Sequence, residues 1–470
     1  MTEKLIETKN LTFKYAENEE PAIENINFTV NRGEIVFIAG DSGSGKSTLL
    51  NIINGIIPEV IEGEMKGDMI IDGKKDLKIH ERSLILGNVL QNPRSQFFTT
   101  NTTSEMVFEM ENYGLSADEM RKRLEQSVEE YRVENLLDRE IFRISSGERQ
   151  FLALVTALIM NPQAVIFDEP SANLDYGNAM RLKEEIKRLK AKGKTVIVAD
   201  HRCFYLEGII DKVLLVENKT VKEFKSERDY FHYEYGKRVF NLFKHEFPRR
   251  EIVRTQNSGV EIKNLSYRGI LEDITISFNE GEVTAIIGIN GAGKTTLAKI
   301  ISRVIKPDKG KVVSPGQALY IMQDADFQLF GESCLKELEI TEKNGDKNAD
   351  ALKLLDLWRL KEKHPQTLSG GEKQRLQMAI SLVSGNDVII LDEPTSGLDK
   401  SAMDRVIGML EILKKGRTMI LISHDYEFIR KSTDRIIYVK DTKIEEDFYL
   451  YEDNTEKLNK IYKEMESYYE

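Results

Sequence analysis

Cysteine is almost absent, with only Cys203 and Cys334 in 470 residues. Neither belongs to a metal-ligand spacing, and two thiols make no disulfide framework, which predicts a reducing compartment. Long apolar runs are missing too. The longest, Phe151 to Met160, has about half the ~20 residues needed to cross a bilayer. It ends at Asn161-Pro162, which suits a buried helix. No signal-type apolar stretch follows Met1-Thr2-Glu3-Lys4. An excess of basic residues is also lacking: 67 Lys and Arg against 78 Asp and Glu leave a net charge of −11. That balance argues against coating nucleic acid or lying on an anionic membrane. Disorder is excluded by 40% hydrophobic residues, 20 Phe and 17 Tyr. The expectation is a soluble, cytosolic chain of two to four domains whose membrane contacts, if it makes any, come through a partner.

The chain contains one pattern twice. The strand-like run Glu34 to Ala39 leads into Gly40-Asp41-Ser42-Gly43-Ser44-Gly45-Lys46-Ser47. Another, Glu282 to Ile287, leads into Gly288-Ile289-Asn290-Gly291-Ala292-Gly293-Lys294-Thr295. Then come a Gln (Gln91, Gln323), Ser-x-Gly-Glu (Ser145, Ser369), Asp-Glu-Pro (Asp168, Asp392) and a His after a strand (His201, His424). Ser145 and Ser369 are 224 residues apart, as are Asp168 and Asp392, but Lys46 and Lys294 are 248 apart. The second repeat is therefore shorter by about 24 residues between its lysine and its Ser-x-Gly-Glu. The boundaries expected are a first domain over 1–225, a linker over 226–258, a second domain over 259–440 and an acidic C-terminal segment over 441–470.

Gly-x-x-x-x-Gly-Lys-Ser/Thr after a strand is a phosphate cradle. Its glycines let backbone N–H groups face the phosphates, helped by the positive end of the next helix. Lys46 and Lys294 would contact phosphate, and Ser47 and Thr295 would place hydroxyls on Mg²⁺. The candidate contacts also include Gly40, Ser42, Gly43, Gly45 and Thr48, then Gly288, Asn290, Gly291, Gly293 and Thr296. The apolar runs Ala164 to Phe167 and Val388 to Leu391 read as central parallel strands ending in acid. Asp168 and Asp392 would hold the Mg²⁺, while Glu169 and Glu393 would orient or deprotonate the attacking water.

Leu368-Ser369-Gly370-Gly371-Glu372-Lys373-Gln374-Arg375 closely resembles the signature motif of ABC-type ATPases, and Ile144-Ser145-Ser146-Gly147-Glu148-Arg149-Gln150 is a variant of it. The resemblance implies an α/β fold of two P-loop NTPase domains in tandem. Each would have a mostly parallel sheet core, a helical subdomain and a small antiparallel β subdomain. It implies ATP and Mg²⁺ as cofactors, Tyr15 and Tyr267 as adenine-stacking aromatics, and Gln91 and Gln323 as Q-loop residues near the metal and the water. By the same resemblance Leu174-Asp175 and Leu398-Asp399 form D-loops, and His201 and His424 are switch histidines. In this family each nucleotide lies between one cradle and the other unit's signature. One site would then join Lys46, Asp168 and Glu169 to Ser369 and Gly371, and the other Lys294, Asp392 and Glu393 to Ser145 and Gly147. Ser146 replaces the signature's usual first glycine. A Cβ there narrows the allowed geometry, so slower hydrolysis is expected at the site that borrows it.

Gln91-Asn92-Pro93-Arg94-Ser95-Gln96-Phe97-Phe98 and Gln323-Asp324-Ala325-Asp326-Phe327-Gln328-Leu329-Phe330 share a second Gln followed by an apolar residue and Phe. This pattern looks like the ATPases of energy-coupling-factor (ECF) importers, which take up vitamins and metal ions. It implies two integral membrane partners, a coupling transmembrane protein and a substrate-binding subunit, and a place at the inner face of the cell membrane. Two alternatives are the tandem ATPase of sugar importers and a ribosome-associated ABC protein. In the first the second cradle is commonly damaged, whereas Lys294-Thr295 is intact. The second usually joins its halves with a long basic linker, whereas Ser226 to Gly259 has seven Lys and Arg against five Asp and Glu.

Overall fold

A computed structural model describes residues 3–172, 174–234, 239, 241–247, 251–252 and 254–468, with Arg94 and Ser146 described by backbone alone. Backbone contacts divide the chain into two units, Met1–Leu174 with Asn178–Asn241, and Asp175–Gly177 with Leu242–Glu470.

Each unit is built on a six-stranded sheet. In the first, the order is Thr220–Phe224, Lys212–Glu217, Ile35–Ala39, Thr195–Ala199, Ala164–Asp168, Leu86–Val89. All neighbours are parallel except the edge hairpin of Lys212–Glu217 with Thr220–Phe224. The second unit repeats this from the opposite edge: Ala318–Ile321, Val388–Asp392, Thr418–Ile422, Val283–Ile287, Arg435–Lys440, Lys443–Tyr449. The central strands are mostly apolar because both faces are covered, one of them in part by the small antiparallel sheet, so no alternate residue meets water. The strand leading to the cradle never touches the acidic strand. The strand before the switch histidine lies between them, which gathers three motifs at one sheet edge.

A smaller antiparallel sheet accompanies each core, Lys4–Tyr15 with Ile23–Ile26, Thr29–Asn31 and Gly63–Ile71 in the first unit, and Ser258–Tyr267 with Leu271–Asn279 and Lys309–Val313 in the second. Helical lobes are formed by Thr102–Asn112, Ala117–Tyr131 and Ser146–Leu158, and by Cys334–Thr341, Gly345–Leu354 and Gly370–Val383. The α/β class with its helical and antiparallel parts is thus present in both repeats.

The described parts of the segments read as linker and tail carry regular elements of their own. Within 226–258, the helix Glu227–Tyr233 buries Tyr230 edge-on against Phe37 and Phe224. The division between units falls after Asn241. Residues 441–470 supply the last strand of the second sheet and the helix Thr455–Ser467. Leu458, Ile461, Tyr462 and Met465 follow helical spacing and are buried, leaving the acidic residues outward. At ~1.5–3 kcal/mol for each such side chain, that face outweighs the charge that suggested a separate tail.

Candidate active site

The cradles take their shape from glycine. Gly43, Gly45, Gly291 and Gly293 have φ of 75°, 108°, 87° and 96°, a region costly for other residues. A Cβ on Gly40 would come within 2.6 Å of the Val216 carbonyl, and one on Gly288 would collide with that of Val439. Both glycines therefore let the loop press on the neighbouring strand. Helices start directly after, at Lys46 and Lys294. Lys46 Nζ donates to the carbonyls of Gly40 (2.8 Å) and Asp41 (3.0 Å), and Lys294 Nζ to those of Gly288 (2.9 Å) and Ile289 (2.7 Å). Each ammonium thus bends back across its own loop, where phosphate would sit. Burial pulls Lys294 below the usual lysine range, with Glu393 opposing.

In the second unit two of the expected metal-side groups meet. Thr295 Oγ1 donates to Asp392 Oδ2 at 3.0 Å. Hydroxyl and carboxylate oxygens in contact beside a phosphate cradle are a donor set that fits Mg²⁺. Asp168 is pushed up to about 6, first by burial and then by Glu169 and Asp200. Burial also raises Asp392, while bonds from Tyr320 and Thr295 hold it down.

Glu169 and Glu393 follow at φ of 46° and 50°, in the left-handed region. Each is held there by its own N–H, which extends the parallel ladder to Ala199 O (2.7 Å) or Ile422 O (2.8 Å). The turn aims both side chains at the histidines. His201 Nε2 lies 3.1 Å from Glu169 Oε1, and His424 Nε2 lies 3.2 Å from Glu393 Oε1; these are ion pairs when the imidazole is protonated. Gln91 Nε2 donates to the other oxygen of Glu169 at 2.7 Å. Gln323 lies exposed beyond its strand.

The signature serines cap their helices. Ser145 and Ser369 each accept from the N–H three residues on, and Glu148 and Glu372 reciprocate. Both serines are exposed, so each helix presents an accessible N-terminus. At Gly370 a Cβ would meet no atom within 4 Å, and at Gly371 the nearest is Leu398 at 3.7 Å. Packing within the unit therefore does not demand the glycine that Ser146 replaces; the Ser146 side chain itself lies outside the described residues. Gly147 is tighter, facing Asn178. Tyr15 and Thr48 share a hydrogen bond of 2.8 Å, and Arg268 lies 5.2 Å over the Tyr267 ring.

Some residues that the motif reading named without a role, and others that it missed, hold the site together. The second glutamines staple the Q-loops: Gln96 accepts from Leu90 N and donates to Asn88 O, and Gln328 does the same with Met322 and Tyr320. Next, Glu105 accepts from Phe98 N and Thr99 N, and Glu337 from Phe330 N and Gly331 N. The recurrence of Glu seven residues after each Phe was the available signal. Asp200, fully buried beside His201, accepts from Ser171 N (3.2 Å), Arg202 N (3.0 Å) and Tyr205 Oη (2.8 Å). Its counterpart is Ser423.

Two phosphate cradles, each with an acidic strand end and a histidine-held glutamate, define a tandem P-loop nucleotide hydrolase. A family model described as ABC transporter matches residues 23–172 and 271–396, and the chain belongs to that family. A Treponema denticola protein described as an ABC transporter ATP-binding protein is 35% identical over 492 residues, spanning 98% of this chain and 100% of its own. A similarly described Saccharolobus solfataricus protein is 31% identical over 494 residues, spanning 94% and 93%. Among solved structures, the archaeal ribosome recycling factor aABCE1, in complex with the ribosomal stalk protein aP1, matches 96% of this chain and 92% of its own at 25% identity, with a TM-score of 0.67. The chain is an ATP-binding protein and an ATPase.

Proposed function

We propose that this chain powers a membrane importer of ECF type, carrying a vitamin or a metal ion, through ATP-driven closure of its two units. The observation that carries the reading is the matched pair of stapled Q-loops. Each ends in a Phe held by its backbone yet left exposed, Phe98 at 77% and Phe330 at 76%. Apolar side chains displayed on rigid loops suit a protein partner. The relatives' description as transporter ATP-binding proteins agrees. Among the described residues no helix is long and apolar enough to cross a membrane, so the conduit would be a partner's.

In this reading Lys46 and Lys294 bind phosphate, Ser47, Thr295, Asp168 and Asp392 hold Mg²⁺ with the Q-loop glutamines nearby, and Ser145 and Ser369 grip the γ-phosphate. The metal would neutralise charge on the phosphates. Glu169 and Glu393 take a proton from the attacking water, and His201 and His424 fix their carboxylates. Loss of the bridging phosphate releases the closed state.

The likeness to a ribosome recycling factor over nearly the whole chain favours a second reading, action on ribosomes. Affinity purification from detergent-solubilised membranes and from a ribosomal pellet separates them. Co-isolation of small integral membrane proteins is expected. Recovery with ribosomal subunits and without membrane proteins overturns the importer.

A further inference from the structure

The C-terminal helix Thr455–Ser467 lies against the segment that carries the second switch histidine. Tyr462 Oη donates to the carbonyl of His424 itself at 3.3 Å. Two residues on, the Tyr426 ring stands edge-on to Tyr462, with centroids 5.0 Å apart, and its hydroxyl donates to Asn459 Oδ1. One turn further, Arg430 donates to Thr455 Oγ1 at 2.8 Å. The grip therefore runs along the whole helix Tyr426–Ser432 that follows the histidine. The clamp is anchored in turn: Lys457 and Lys440 pair with Glu446 and Glu464, tying the helix to the last two strands of the sheet.

The first unit carries a buried carboxylate at the corresponding place. There the buried Asp200 bonds Arg202 N and Tyr205 Oη on the far side of His201, and Ser171 N beyond Glu169. In the second unit Ser423 stands in place of Asp200 and accepts from Asp425 N at 3.1 Å. An internal carboxylate latch in one repeat corresponds to an external tyrosine latch in the other.

We propose that Tyr462 is a positioning residue for the second ATP site: through the His424 carbonyl it sets where the imidazole meets Glu393, so the C-terminal helix governs turnover at that site and not at the first. The inference rests on the roles assigned above to Glu393 and His424. His424 N also donates to Glu393 Oε2 at 3.3 Å, so displacing this backbone moves both contacts to the carboxylate. ATP binding draws on the cradle at the other end of the sheet edge and is left to Lys294.

The test is Tyr462→Phe, which removes one hydroxyl and keeps the ring packing, in the full-length chain. It is placed in two backgrounds, Glu169→Gln and Glu393→Gln, and ATP turnover is followed against ATP concentration. A hydrogen bond of this kind corresponds to about a twofold to tenfold change. The expected result is a kcat loss of that size in Glu169→Gln with KM for ATP within about twofold, clearly exceeding any loss in Glu393→Gln. Hydrogen exchange at the amides of residues 423–430 should quicken relative to residues 200–206. Equal losses in the two backgrounds, a change in KM alone, or unaltered exchange overturn the latch. If both parent glutamine variants retain wild-type turnover, the assigned roles of the glutamates fail and the latch falls with them.

Discussion

Tyr320 Oη donates to Asp392 Oδ2 at 2.7 Å, while the same register position of the first sheet carries Asn88. One acidic strand end thus has a phenol bonded to the carboxylate that would hold Mg²⁺, and the other does not. The two sites differ in their electrostatics although their motifs match.

A donor to a carboxylate favours its charged form, so Tyr320→Phe should raise the already elevated Asp392 further. Turnover in a Glu169→Gln background should fall about twofold to tenfold near pH 6 and less near pH 8. A pH–rate profile for the two chains checks this; parallel profiles would contradict it.

Asp168, pushed up to about 6, loses its charge as pH falls through that value. Metal binding at the first site must then compete with a proton. The Mg²⁺ concentration giving half-maximal ATPase in Glu393→Gln should be flat above about pH 7 and rise roughly tenfold per pH unit below about 6. Metal titrations at several pH values measure it directly.

Lys46→Ala and Lys294→Ala each remove a preorganised cation from one cradle. Each should cost its own site about a hundredfold or more in turnover. On the importer reading, either change should abolish most transport in reconstituted vesicles, and full uptake after one of them would show that a single site suffices.

Burial pushes Glu109 up to about 7, on the helix Thr102–Asn112 of the first helical lobe. The folded value exceeds the unfolded one, so the fold tolerates the neutral form and loses stability as pH rises through this window. Glu109→Gln should stabilise by about 1–2 kcal/mol near pH 8, allowing for the group's partial exposure. The gain should vanish near pH 4. Urea unfolding of the two chains at both pH values is the measurement.

The amino-acid sequence determined the repeats, the α/β class and the cradles, because those features are local. Glycines at fixed spacing dictate positive φ, apolar runs dictate buried strands, and a helix must start where Lys46 or Lys294 follows. Which residues serve those motifs was decided by tertiary structure. Asn88 and Tyr320 hold the same register position, and its place beside the acidic strand is what lets the tyrosine reach Asp392. In residues 441–470 the interleaved Tyr and Leu marked a helix, but the strand Lys443–Tyr449 that pairs with Arg435–Lys440 was not marked. Tyr462 reaches the His424 carbonyl from 38 residues away, whereas Asp200 bonds residues just beyond His201, and no local pattern equates them. Hydrogen bonds between distant segments depend on how the sheet and its covering helices pack, information that spacing along a chain does not contain.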